Sequence, residues 1–125
     1  METSVYDRVL NELLNVIPAG WKKIAFYAEY ESGSYSMKYY VDMGDGKYKD
    51  CFDIAPEKDV IKTFLKIDKI FSEERKKLSE KDLWTVISIF FSAEGKAKAI
   101  YDYQNVQDSS IEYFENWKKK YLCSK

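Results

Sequence analysis

Four aspartates crowd one short stretch of the 125-residue chain: Asp42, Asp45, Asp50 and Asp53 in "DMGDGKYKDCFD". Carboxylates this close in sequence could do acid/base work or hold a magnesium or calcium ion. Their spacing argues otherwise. Asp42 and Asp45 flank a glycine turn, where aspartate is wanted for local backbone hydrogen bonds. Asp50 and Asp53 fall on opposite faces of a predicted strand, and the stretch lacks the regular ligand spacing and closing glutamate of a calcium loop. "GDG" has neither the spaced glycines nor the following helix of a phosphate-binding loop. The chain has no histidine, which removes the commonest general base, the usual zinc ligand sets and any Ser-His or Cys-His pair. Cys51 and Cys123 stand far apart and read as free thiols in a reducing cytoplasm. The sequence therefore predicts no catalytic residue, no metal and no cofactor.

What remains is a surface made to be touched. Eleven tyrosines supply flat apolar rings with polar tips. The net charge of −1 hides a gradient: residues 28–59 carry eight acids against four lysines, while residues 60–100 carry nine bases against six acids. An acidic segment suits a basic partner. Interleaved Tyr and Lys in "YSMKYYVDMGDGKYK" raise a second reading, a nucleic-acid-binding or regulatory module using a Tyr/Lys-rich sheet face. Against it stands a sequence pI of 5.6, opposite to the electrostatic footprint of such proteins.

The elements that position these residues follow from periodicity. Val5, Val9, Leu10, Leu13, Leu14 and Ile17 share one helical face over 4–17, and Pro18 with Gly20 ends the helix. Residues 22–30 and 35–42 alternate with a period of two, Gly-containing turns follow each, and 48–54 reads as a weaker third strand. Val60, Phe64, Ile67, Phe71 and Leu78 mark a second helix opened by Pro56. "WTVISIFF" (84–91) is apolar on both faces, as for a covered central strand, and "AKAIYDY" (97–103) returns from a "SAEGK" turn. Ile111, Phe114, Trp117 and Tyr121 mark a C-terminal amphipathic helix. The order α-β-β-β-α-β-β-α predicts one α+β domain over 1–125, a largely antiparallel sheet of about five strands with three helices. Trp21 and Trp84 are expected in the core. The N-terminus lacks the basic and apolar regions of a signal peptide, and nothing approaches the ~20 apolar residues of a membrane span.

The ordered motifs "IPAGWKKIAFYAEY", "GSYSMKYYV", "FDI", "LWTVISIFFSAEGKAKAIYDY" and "YFENWKKKYL" resemble the YezG-like immunity protein family, from about residue 12 to 122. The most specific parts are Ile17-Pro18-x-Gly20-Trp21 and the hairpin carrying Trp84, Thr85, Gly95, Lys96, Tyr101, Asp102 and Tyr103. The resemblance implies a cytoplasmic antitoxin that binds and neutralises the toxic domain of a secreted or contact-delivered toxin, a DNase or RNase, with no catalytic residues to carry over. A nuclease offers a basic surface to phosphates, so acids on an inhibitor steer association. The expected contacts are Glu29, Glu31, Asp42, Asp45 and Asp50 as steering or paired acids, with Tyr27, Tyr35 and Tyr40 as aromatic anchors.

Overall fold

A computed structural model describes residues 3–31, 34–104 and 109–122, with the side chains of residues 3 and 4 also outside that set. The chain runs α1 (Thr3–Leu13), β1 (Lys23–Glu31), β2 (Ser34–Asp42), β3 (Tyr48–Asp50), α2 (Cys51–Ile54), α3 (Glu57–Arg75), a 3-10 turn (Glu80–Asp82), β4 (Val86–Ser92), β5 (Ala97–Asp102) and α4 (Ser110–Tyr121). The five strands form one antiparallel sheet in the order β3-β2-β1-β4-β5. The predicted α+β architecture is thus present, with a short fourth helix added. Among the described residues no helix is long and apolar enough to cross a membrane.

Strand β1 sits at the centre, and its alternation feeds two cores. Ile24, Phe26 and Ala28 face α1 and α3, where Val9, Leu13, Phe64 and Phe71 close the larger cluster. Ala25 and Tyr27 face the other way into a smaller cluster with Tyr40, Val86 and Trp117. The two-sided apolar character of β4 has the same cause: Ile87, Ile89 and Phe91 serve the first core, Val86 and Phe90 the second. Trp84 lies two residues before β4 and is 2% exposed, while Trp21 is half-buried against the first core.

Several expected boundaries shift for local reasons. The third strand stops at Asp50, because the Asp50 carboxylate accepts the Phe52 N–H and caps a turn of helix instead. Asp50 and Asp53 therefore do not share a strand. Helix α3 ends at Arg75, before Leu78. The Arg75 guanidinium leaves the helix to donate to the Trp84 carbonyl and lies 4.7 Å from the ring centroids of both Tyr30 and Trp84. Helix α1 ends at Leu13, so Ile17 reaches the core from irregular chain and Leu14 stays partly exposed. Ile111, expected on the buried stripe of the last helix, is 82% exposed. Cys51 is a buried free thiol, and Cys123 lies outside the described residues.

Candidate interaction surface

Helix α4 covers the sheet face opposite α1 and α3. Its apolar positions are aromatic, and Trp117 is the centre of their packing. The Trp117 ring centroid is 5.0 Å from Tyr27, 5.7 Å from Tyr121, 6.2 Å from Tyr40 and 6.3 Å from Phe90. Three hydrogen bonds fix the helix along the sheet. The Ser110 hydroxyl donates to Glu29 Oε2 at 2.7 Å, the Tyr113 hydroxyl to Asp102 Oδ2 at 2.8 Å, and Trp117 Nε1–H to Ser88 Oγ at 2.8 Å.

This arrangement divides the eight expected contact residues into three groups. Tyr27, Glu29 and Tyr40 lie beneath α4, at 2%, 1% and 6% exposure. The Tyr27 hydroxyl donates to Glu29 Oε1 at 2.6 Å, so both oxygens of that buried carboxylate are occupied by hydroxyls of the same chain. Burial, followed by the bond to Glu29, pushes the Tyr27 phenol far above its ordinary range, and burial does the same for Tyr40. These side chains are committed to the interior as long as α4 is docked.

Asp42, Asp45 and Asp50 form the second group, around the turn that follows β2. Asp42 is 5% exposed. Its Oδ1 accepts the N–H of Gly44 at 2.7 Å and of Gly46 at 3.1 Å, and both glycines hold positive φ values closed to most side chains. Asp45 is exposed and accepts the Lys47 N–H at 3.0 Å. Asp50 caps α2 and receives Lys38 Nζ at 2.5 Å. Its partial burial works against ionisation, but the bonds from Lys38 and Phe52 outweigh that and hold its carboxyl below the usual range. Glu31 and Tyr35 make the third group, half-buried at the far end of the β1–β2 pair. The Tyr35 ring lies 5.9 Å from Tyr30, and burial together with the Asp68 carboxylate raises its phenol.

Lys38, Phe52, Ile61, Leu65 and Ile111 are not among the eight expected contacts, although Lys38 lies in the Tyr/Lys-rich stretch and Ile111 on the predicted stripe of the last helix. All but Lys38 keep between 42% and 82% of their surface exposed, and Lys38 Nζ sits 4.9 Å from the Phe52 ring centroid. Ile61 and Leu65 carried a readable signal, being apolar residues four apart on α3 and off its buried stripe. Ile111 carried none, because its spacing places it on the apolar stripe.

Among the described residues no group of three or more His, Cys, Asp or Glu could hold a metal ion. The buried phenols stay protonated and donate hydrogen bonds, and burial pushes the Cys51 thiol up to about 11, away from the thiolate form. The rings of Tyr27 and Tyr40 pack against Trp117, so neither is itself a platform on which a base could stack. A family model described as "Immunity protein YezG-like" matches residues 3–124. No curated protein matches the chain.

Proposed function

The chain belongs to the YezG-like immunity protein family, and from that premise we propose that it acts in the cytoplasm, where it binds and neutralises the nuclease domain of a cognate toxin by occluding its active or substrate-binding surface. The observation that carries this reading is the extent of the match. It spans every strand and helix of the fold, so the whole scaffold, rather than one motif, is that of the family. The surface chemistry agrees with a basic target. Asp45 is exposed, Asp50 and Glu31 retain part of their surface, and all three lie in the segment where acids outnumber lysines. A domain of this size presents enough surface for an ordinary complex, which buries on the order of 1,600 Å² in total.

The test is co-expression with the toxin domain encoded beside this chain, followed by co-purification and a nuclease assay on the complex. A stable complex with suppressed cleavage supports the proposal. Free protein beside an active nuclease overturns it. Binding of oligonucleotides by the chain alone, weakening steeply with salt, would support the nucleic-acid-binding reading instead.

A further inference from the structure

Strand β2 is nine residues long, but β3 pairs only with Tyr40, Val41 and Asp42. Among the described residues no strand lies against the outer edge of 34–39. Hydrogen-bond alternation shows which backbone groups point outward there. The Tyr30 N–H donates to the Thr85 carbonyl at 2.7 Å. Residues 24, 26, 28 and 30 of β1 therefore turn their backbone groups to β4, and 25, 27, 29 and 31 turn theirs to β2. Their partners on β2 are Tyr40, Lys38, Ser36 and Ser34, which leaves Tyr35, Met37 and Tyr39 facing out. The Cys51 thiol takes up the backbone of Tyr39. Among the described residues no backbone partner meets Tyr35 or Met37 on that side.

Apolar side chains flank this edge on both faces. On the helical face, α1 meets α3 through Arg8–Glu73 and Glu12–Lys66. Ile61, Leu65 and Asp68 share the side of α3 turned away from α1, by their spacing of four and three. Asp68 accepts the Tyr30 hydroxyl and acts on Tyr35, which places that side over the end of β2. Ile61 and Leu65 are 44% and 56% exposed there. On the other face, Ile111 and Phe114 of α4 border a cavity of about 290 Å³ whose lining includes Ser36, Lys38 and Glu115. Carboxylates outnumber cations around the edge: Glu31, Asp68, Glu115 and Asp50 stand there, with Lys38 paired to Asp50 and Lys118 paired to Glu115.

We infer that the open edge of β2 is the docking site, and that the toxin adds to it an extended strand in which basic and apolar side chains alternate. This rests on the immunity reading. Backbone bonds to Tyr35 and Met37 supply the register, the Leu65 side and the Ile111 cavity receive alternate side chains, and the surrounding acids select the charge. A second copy of this chain is the poorer occupant, because antiparallel pairing of two such edges sets acids against acids.

The experiment uses the purified complex with the toxin domain. Amide exchange at Tyr35 and Met37 should slow by about 100-fold or more on complex formation. The outward amides of the far edge should not change. There the Ser92 N–H donates to the Lys96 carbonyl, so 97, 99 and 101 face out. Tyr35→Pro and Leu65→Glu should each weaken binding by about 100-fold, and Ala97→Pro by less than about threefold. Leu65→Glu alters an exposed side chain, so it decides the matter should Tyr35→Pro not fold. An inhibited complex in which Tyr35 and Met37 exchange as in the free chain, or in which Leu65→Glu binds normally, overturns the docking mode and leaves the immunity reading standing. Protection that rises with chain concentration in the absence of toxin assigns the edge to a second copy and overturns the inference. Failure to form any complex removes the immunity reading and the docking mode together.

Discussion

Replacing Trp117 with alanine tests whether α4 is an integral layer of the fold. Trp117 is 4% exposed and is the α4 member of the buried second core. A tryptophan buries roughly 200 Å² of largely apolar surface, which at about 25 cal/mol per Å² corresponds to ~5 kcal/mol, part of which alanine retains. The facing residues Tyr27, Tyr40 and Phe90 stand on hydrogen-bonded strands and cannot collapse into the space, so a loss of about 4 kcal/mol is expected. Urea unfolding followed by circular dichroism measures it. The slope against denaturant carries a second readout. If the substitution releases α4 in the native state, less surface remains to be exposed and the slope falls. Trp117→Phe keeps much of the packing but removes the donor to Ser88 Oγ. It should cost less, and should couple to Ser88→Ala by about 1 kcal/mol. A loss under about 1 kcal/mol for Trp117→Ala, with unchanged slope, would refute the reasoning and leave α4 a loosely held appendage.

Three further outcomes are expected. The phenols of buried Tyr27, Tyr39 and Tyr40 and of half-buried Tyr30, Tyr101 and Tyr113 all have folded values raised above 10.0, chiefly by desolvation. Their contribution is complete below that pH and is lost as pH rises beyond it; Cys51, raised from 9.0 to about 11, joins from pH 9.0 upward. The melting temperature should therefore be level up to pH 9.0 and fall by about 10 °C or more by pH 11, a flat profile being the contrary result. Glu29→Ala strips the acceptor from the hydroxyls of Tyr27 and Ser110 and should cost about 2 kcal/mol in urea unfolding, whereas a change near zero would mean that its side chain is solvated. Asp42→Ala should cost about 1 kcal/mol by releasing the N–H groups of Gly44 and Gly46, and a slower association with toxin at unchanged stability would instead mark Asp42 as a steering charge.

Periodicity alone was enough to place the strands of the sheet and the three longer helices, because a half-buried strand repeats every two residues and a packed helix every 3.6. The same logic placed Trp84 in the core and gave the glycine turn after β2 its aspartates. The exchange of strand for helix at Asp50 escaped, since a carboxylate that caps a turn is indistinguishable in sequence from one on a strand. Of the expected contact residues, Asp42 and Asp45 were legible as polar turn positions, but nothing local told Tyr27 from Tyr35. Both are aromatic residues on alternating strands, and one ends beneath a helix while the other ends at a sheet margin.

Local pattern determined that the chain builds an α+β sheet domain with aromatic strand faces and without histidine chemistry, because composition and period depend only on neighbours in sequence. Tertiary structure decided which face is seen by solvent. Helix α4 returns from the C-terminus to cover Tyr27, Glu29 and Tyr40, and β3 stops after three residues and leaves the end of β2 open. The cover of α4 joins segments far apart in the chain, which no local window of sequence records, whereas the early end of β3 follows from the Asp50 cap beside it.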